Sequence, residues 1–176
     1  MTKKEKSAVT VRDMAVFSML AALMFASKVI MDALPNIHLL GMFIMVYTRV
    51  YRVKALIPLY LFIFMTGLYG GFGLWWIPYL YIWAILWGVT MLLPRRMPRG
   101  VCAAVFPAVC CLFGLLYGVL YAPAQALLFG LDLHGMLAWI AAGLPFDLMH
   151  GIGNLFAGLL ILPLSELLYR LERKKA

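Results

Sequence analysis

The chain has 176 residues, of which 65% are hydrophobic and 12% are charged, with a mean hydropathy of +0.96. Soluble domains average about half apolar and about a quarter charged residues, so this composition excludes an ordinary water-soluble domain. The net charge of +8 does not indicate a nucleic-acid-binding protein, because the basic residues lie at the ends of apolar segments. An all-α integral membrane protein is predicted, since lipid requires every backbone polar group to be paired within the span.

The apolar segments predict six transmembrane helices in one domain that covers residues 1–176. A helix needs about 20 residues to cross the hydrocarbon layer, with tolerance for tilt and for burial among other helices. The basic start from Lys3 to Lys6 is not read as a cleavable signal peptide, because the apolar run after it continues as a full span. In chain order, the predicted spans are 13–34, 38–51, 54–69, 75–93, 101–129 and 138–169.

The second and third spans are short, and the segment from Arg49 to Lys54 between them is predicted to be a cytoplasmic hairpin. The alternative is one broken helix in a protein of five spans. That arrangement is rejected, because it puts the first and last basic clusters on opposite faces of the membrane.

The distribution of positive charge predicts the topology. Of the 15 Lys and Arg residues, all but Lys28 fall into four clusters at segment ends, whereas connections 35–38, 70–73 and 130–135 contain none. Basic residues are retained on the cytoplasmic side, so both termini are predicted to be cytoplasmic. The clusters are Lys3, Lys4, Lys6 and Arg12; Arg49, Arg52 and Lys54; Arg95, Arg96 and Arg99; and Arg170, Arg173, Lys174 and Lys175.

Two prolines divide the last segment. Pro suits the first turn of a helix, so the sixth helix is expected to begin near Pro145, with residues 131–143 forming a lid or short helix on the outer face. Pro163 is expected to kink this helix.

Polar residues inside the apolar segments concentrate on the outer side and predict a binding pocket. Ionisable residues are costly in a membrane, so they usually face a cavity or pair with one another. Asp147, His150 and Asn154 share one helical face by their spacing. The full set of predicted binding residues is Lys28, Asp32, Asn36, His38, Trp76, Tyr79, Trp83, Gln125, Asp147, His150 and Asn154.

Plainer interpretations remain open for these residues. Lys28 and Asp32 are spaced to neutralise each other, and Trp76, with Trp75, is typical of an interfacial aromatic belt. For the stripe on the last helix, a structural hydrogen-bond network is the less favoured alternative to ligand binding. No pattern indicates catalytic residues, a metal site or a cofactor, and the three Cys residues are interpreted as packing residues.

Small residues recur every fourth position in the first span, at Ser18, Ala22 and Ala26, which permits close approach of another helix. A similar stripe, Gly114, Gly118 and Ala122, is compatible with internal packing. With the stretch Phe146-Asp147-Leu-Met-His150-Gly-Ile-Gly-Asn154 and the Gly71-Phe72-Gly73-Leu74-Trp75 turn, the whole chain resembles the substrate-binding (S) components of energy-coupling factor (ECF) transporters.

The resemblance implies a non-catalytic subunit of an ATP-driven vitamin importer in the plasma membrane of a prokaryote. Ser18, Ala22 and Ala26 would dock on a transmembrane coupling subunit that two ATPase subunits drive, so ATP would be used by the partners. Cargo would bind in the outer half of the membrane. The Phe-Gly-x-Trp turn is similar to that of members assigned to cobalamin or queuosine-type cargo, and aromatic walls favour a planar polar heterocycle.

Other functions are open alternatives on the residues alone. A membrane-embedded enzyme would use Asp147 with His150 as a polar pair. A stand-alone secondary carrier often shows inverted repeats, which are not found in this chain, and an assembly scaffold would leave the outer polar cluster without a ligand.

Overall fold

The computed structural model describes residues 9–34 and 36–173 and contains helices but no β-strand within them. The basic residues Lys3, Lys4, Lys6, Lys174 and Lys175, on which part of the topology prediction rests, lie outside the described residues. The helices are α1 (Val11–Ile30), α2 (Leu40–Tyr51), α3 (Leu56–Gly70), α4 (Tyr79–Leu92), α5 (Arg99–Leu115), α6 (Tyr117–Phe129), α7 (Leu133–Gly158) and α8 (Ile161–Arg173), with short 3-10 turns at Arg52–Ala55 and Leu74–Trp76.

Five helical stretches among the described residues are long and apolar enough to cross a membrane. They run over Val11–Ile30, Leu40–Gly70, Leu74–Leu92, Arg99–Phe129 and Leu133–Gly158. Large apolar side chains project from their outer faces; Ile30 is 80% exposed and Leu127 is 86% exposed. An apolar surface of this kind suits lipid, so the prediction of an all-helical multi-pass membrane protein is confirmed.

Helix α2 is the centre of the bundle, and every residue from Leu40 to Thr48 is buried. It is enclosed by α1, α4, α5, α7 and α8, which pack against it, so it faces protein and not lipid along this stretch. The shortness of this helix follows, because a helix enclosed by others need not match the thickness of the lipid.

The chain reverses direction at Arg52, inside the segment predicted to be a hairpin. Arg52 has φ 56° and ψ −121°, which ends α2 abruptly. On one side, the Phe17 and Tyr51 rings are 5.1 Å apart and the Tyr47 hydroxyl donates to the Leu20 carbonyl, so α2 is antiparallel to α1. On the other side, α3 is parallel to α1, as two contacts show: Lys54 pairs with Asp13 at 3.0 Å, and the Phe25 and Tyr69 rings are 5.6 Å apart.

Helix α7 packs closely on α5 and α6 through glycines. A Cβ on Gly114 would lie 2.8 Å from the backbone of His150 and Gly151, and a Cβ on Gly158 would lie 2.6 Å from Pro107. The second small-residue stripe, Gly114, Gly118 and Ala122, is therefore buried and serves internal packing. This packing holds α7 against α6 at the level of Asp147 and His150.

The expectation that the last long helix begins near Pro145 is wrong. Helix α7 begins at Leu133, where the Asp132 carboxylate caps it by accepting from the Gly135 N–H at 2.7 Å, and it continues through Pro145. Residues 133–143 are thus its first turns and not a separate lid. Pro145 has no N–H to donate to the Ala141 carbonyl, so the helix loses one hydrogen bond there, a loss that a helix in a membrane protein can tolerate.

Pro163 was expected to kink the last helix, and the structure shows a break just before this proline that separates α7 from α8. The break lies at Leu159–Leu160, four residues ahead of the proline. Pro163 has no N–H to donate to the Leu159 carbonyl, and its ring clashes with that carbonyl.

The described basic clusters meet at one end of the molecule. Arg52 donates to the Met91 carbonyl at 2.9 Å, and the Tyr169 hydroxyl donates to the Arg49 carbonyl. Arg99 pairs with Glu166 at 3.1 Å. We call this the basic end; the connection between α1 and α2 lies at the opposite end, which holds the candidate site.

Candidate functional site

A cavity of about 410 Å³ opens at the end of the molecule opposite the basic end. We call it the central cavity. Its walls come from α1 and the connection that follows it, from the start of α4, from α6 and from α7. Its lining residues are Lys28, Met31, Asp32, Leu34, Asn36, Ile37, His38, Trp75, Tyr79, Tyr117, Tyr121 and His150. Six of the predicted binding residues are thereby brought together: Lys28, Asp32, Asn36, His38, Tyr79 and His150.

An ion pair stands at the rim of the central cavity. The Lys28 ammonium lies 2.9 Å from the Asp32 carboxylate, and the two side chains are 19% and 55% exposed. The sequence predicted either that the two residues neutralise each other or that they bind a ligand. The structure is compatible with both, since the residues pair with each other and also line the cavity. A partly exposed pair contributes only about 0–1 kcal/mol, so a charged ligand can exchange with one partner at small cost.

Two histidines form the floor of the central cavity. The rings of His38 and His150 are 4.7 Å apart at an interplanar angle of 74°, and the Tyr117 ring lies 4.9 Å from His150. Neither nitrogen of His150, nor Nδ1 of His38, has a hydrogen-bond partner among residues 9–34 and 36–173. A buried polar group without a partner costs about 1–3 kcal/mol, so this floor is suited to donate to and accept from a bound molecule.

His38 lies in the connection before α2, and burial lowers its pKa to about 4. The imidazole is therefore neutral near pH 7 and offers one donor and one acceptor. A neutral floor favours uncharged polar groups of a ligand over a carboxylate at this depth.

Aromatic rings form one wall of the central cavity. Trp75 and Tyr79 stand edge to face at 5.6 Å, and the Tyr121 hydroxyl donates to the Trp75 carbonyl at 3.2 Å. Tyr117 and Tyr121 are one turn apart on α6, with rings 6.1 Å from each other. Ring faces and edges held in this way provide a surface on which a flat ligand can stack.

Of the two tryptophans in the turn before α4, Trp75 lines the central cavity, although Trp76 was the one predicted to bind. Trp76 instead donates its indole N–H to the Ile63 carbonyl at 2.8 Å and packs against Phe72 at 5.0 Å. A 3-10 turn at this point directs adjacent side chains to different sides, and periodicity alone cannot decide which one faces inward.

Three other predicted residues lie beneath or beyond the cavity floor. Trp83 is fully buried 5.7 Å from the His38 ring, and its indole nitrogen has no hydrogen-bond partner in the part of the chain that the structure describes. Asn154 is buried deeper on α7, beside Gly41 and Cys110, and within that same part its side-chain amide has no hydrogen-bond partner either. Gln125 is half-buried on α6 and is not among the residues that line the central cavity.

Asp147 faces a second, smaller cavity beside the first. This side chamber of about 240 Å³ is lined by Asn36, Tyr117, Gly118, Tyr121, Trp139, Gly143, Phe146 and Asp147. Asp147, His150 and Asn154 are all buried, as expected of one inward face of α7. Asp147 accepts a hydrogen bond from Gly118 rather than from His150, so the polar pair that the enzyme alternative requires is not formed.

The sequence analysis missed Trp75, Tyr117, Tyr121 and Trp139 as lining residues. The sequence does show that Tyr117 and Tyr121 are one helical turn apart and therefore share a face. The contact of the neighbouring Gly118 with Asp147 is visible only in the structure. Trp139 was assigned to the separate lid and became a lining residue because α7 continues through Pro145.

The stripe of Ser18, Ala22 and Ala26 lies on the outside of α1, where all three residues are exposed. The opposite face of the same helix carries the buried residues Phe17, Ala21 and Met24. This stripe is therefore not used in packing within the described part of the chain, whereas the stripe on α5 and α6 is.

Among residues 9–34 and 36–173, no three His, Cys, Asp or Glu side chains are grouped so that they could hold a metal ion. The described arrangement supplies stacking surfaces, neutral hydrogen-bonding groups and one unpaired carboxylate, which are the elements of a binding site. Comparison with protein-family models, with curated proteins and with solved structures gave no match, so assignment of a function rests on the residues and their geometry.

Proposed function

We propose that this chain is the substrate-binding S component of an ECF-type ATP-driven importer and that it binds a vitamin-like polar heterocycle in the central cavity. One observation carries the proposal: a cavity of about 410 Å³ has aromatic walls and a floor of two imidazoles, and His38 Nδ1 and both nitrogens of His150 have no hydrogen-bond partner among the described residues. Pockets of roughly 300–1,000 Å³ with few polar groups are typical of small-molecule sites.

The proposed topology has six spans with both termini in the cytoplasm of a prokaryote. The reversal at Arg52 supports it, because α2 and α3 then count as two separate crossings. Clustering of the described basic residues at one end supports a cytoplasmic location for that end. The central cavity would open to the outside, as an import protein requires.

The exposed stripe on α1 is the proposed docking surface for a transmembrane coupling subunit. Ser18, Ala22 and Ala26 form a shallow groove on the surface of α1, because the neighbouring exposed side chains are larger. Met19 is 72% exposed and Leu23 is 51% exposed. Small residues let a partner helix approach closely, which is how helices associate in lipid. Two ATPase subunits would act through that coupling subunit.

The volume of the central cavity narrows the proposed cargo. A corrinoid such as cobalamin, with its macrocycle and side chains, exceeds about 410 Å³, whereas a single fused heterocycle such as a queuosine precursor fits. Of the two cargo types that the turn before α4 suggests, the smaller is favoured. Stacking on Tyr79 or Tyr117 and hydrogen bonds to neutral imidazoles both suit such a ring.

Native mass spectrometry of the gently purified full-length protein tests this proposal. We expect a co-purified small molecule, with its affinity reduced at least about fivefold in His150→Ala, because one buried hydrogen-bonding group contributes about 1–3 kcal/mol. His134→Ala is the matched control, since His134 is exposed and lines neither cavity. A wild-type protein that binds no small molecule from a vitamin-replete medium, or equal occupancy in both variants, contradicts the proposal.

A further inference from the structure

The Asp147 carboxylate is buried without a charged partner. Only 5% of the residue is exposed, Oδ1 accepts from the Gly118 N–H at 3.0 Å, and Oδ2 has no hydrogen-bond partner among the described residues. A Cβ on Gly118 would lie 2.3 Å from Oδ2, so a glycine is needed for the carboxylate to occupy this position. The fold thus leaves space for the Asp147 side chain but gives a hydrogen bond to only one of its two carboxylate oxygens.

No cation of the described residues compensates this carboxylate. No Lys or Arg lines the side chamber, and Asp147 takes part in no ion pair within residues 9–34 and 36–173. Lys28 lines the central cavity but is paired with Asp32 at 2.9 Å. An uncompensated buried charge is strongly unfavourable, so the site is suited to a cation that arrives with a ligand.

The walls of the side chamber are aromatic. Tyr117, Tyr121, Trp139 and Phe146 surround the approach to Asp147. The Tyr121 and Trp139 rings are stacked at 5.6 Å with an interplanar angle of 19°. Aromatic faces attract a cation, Trp most strongly, and a carboxylate among them completes the chemistry that recognises an ammonium group.

The side chamber and the central cavity share a wall. Asn36, Tyr117 and Tyr121 line both of them, so the two spaces lie side by side. The floor of the central cavity is formed by neutral imidazole at His38, whereas the side chamber carries an acidic group. The two spaces therefore suit different parts of a ligand.

We propose that the side chamber binds a protonated amine, through Asp147 Oδ2 and the faces of the surrounding rings, and that this amine is a branch of the solute held in the central cavity. This inference rests on the proposed function, and it adds that the transported heterocycle carries a basic aminoalkyl or ammonium group. The amine donates to Oδ2 while Gly118 continues to hold Oδ1.

Benzylammonium and benzyl alcohol are matched probes, since they share a ring and differ in charge. Their affinities for the purified full-length protein are to be measured by titration calorimetry, with tryptophan fluorescence as a second signal. We expect the ammonium compound to bind the wild-type protein at least about tenfold more tightly than the alcohol. In Asp147→Asn this preference disappears, while the Asn side-chain oxygen still accepts from Gly118.

Two further variants keep the test decisive. Glu166→Gln removes a carboxylate at the basic end and leaves the preference for ammonium intact. Trp139→Leu weakens benzylammonium binding and changes alcohol binding less, so the aromatic contribution is read even if Asp147→Asn fails to fold. Equal affinities of the wild-type protein for both probes overturn the inference, as does an ammonium preference that persists in Asp147→Asn.

The inference and the proposed function fail separately. A co-purified solute that is lost in His150→Ala but shows no dependence on Asp147 overturns the amine site and leaves the solute-binding function in place. Asp147-dependent ammonium binding, in a protein that holds no solute against its histidine floor, supports the amine site and contradicts the proposed function.

Discussion

Two stripes of small residues with the same four-residue spacing have opposite positions in this protein. Ser18, Ala22 and Ala26 are exposed on α1, whereas Gly114, Gly118 and Ala122 are buried against α7. Both satisfy the rule that small residues let helices approach closely. The comparison shows that such a pattern predicts a close contact but does not say whether the partner helix belongs to the same chain.

The buried stripe differs from the exposed one in residue type as well. It contains two glycines, and a Cβ at either would meet atoms of α7 within 3.0 Å. The exposed stripe contains only Ser and Ala, so an approaching helix would stay about one methyl group farther away. Glycine therefore marks the contact made within the chain, whereas the exposed stripe, which we propose as a docking surface, has only serine and alanine.

Enlarging the buried stripe is expected to have the largest effect. Gly114→Val places a branched side chain where even a Cβ would lie 2.8 Å from the α7 backbone, which cannot move aside as a side chain can. We expect destabilisation of about 3 kcal/mol or more and poor recovery of folded protein. Thermal unfolding followed by size-exclusion chromatography in detergent measures this effect. A variant that melts like the wild type would show that α5 and α7 are less closely packed.

Enlarging the residues of the exposed stripe is expected to leave the stability of the protein unchanged and to abolish the proposed assembly and uptake. Ala22→Leu combined with Ala26→Leu adds bulk to an outward face. The free energy of unfolding should therefore change by no more than about 0.5 kcal/mol, as is usual for surface substitutions, and the melting temperature should change little. Co-purification with the coupling subunit and ATP-dependent uptake should both be lost, because the docking helix can no longer approach.

Ala104→Leu is the matched control for this pair, since Ala104 is an exposed alanine on α5 away from the stripe. It should retain both assembly and uptake. If the double variant also assembles normally, α1 is not the docking helix. If the control fails together with the double variant, the loss reflects general bulk on the surface and not a specific stripe.

The smallest effect is expected for Ser18→Ala. Ser18 is exposed at the start of the stripe, and its replacement keeps the surface small. We expect a change in unfolding free energy below about 0.5 kcal/mol and unchanged assembly, because size and not the hydroxyl matters for close approach. Isothermal measurement of complex formation in nanodiscs tests this. Loss of assembly in Ser18→Ala would instead assign the docking interaction to a hydrogen bond from the hydroxyl.

Much of the helical architecture could be read from the chain because lipid constrains it strongly. Long apolar runs identify helices, and charged residues identify their ends, as at the Arg49 to Lys54 segment, where the reversal occurs at Arg52. Pro163 was also interpreted correctly. Pro145 was not, because a proline only weakens a helix, and its surroundings decide whether the helix continues.

The candidate site was predicted in part. Lys28, Asp32, His38 and His150 were singled out because ionisable residues are rare in apolar segments, and they do line the central cavity. Trp75 and Tyr121 were missed because aromatic residues occur throughout the chain and carry no comparable distinction.

The sequence by itself determined the class of the protein, the helical segments and the concentration of polar residues at one end, because each depends on local composition against a uniform apolar solvent. Only the tertiary structure decided which small-residue stripe is internal, which tryptophan faces the cavity, and that Asp147 is held by Gly118 instead of pairing with His150. These features depend on distances between helices far apart in the chain, and those distances follow from packing rather than from any local pattern.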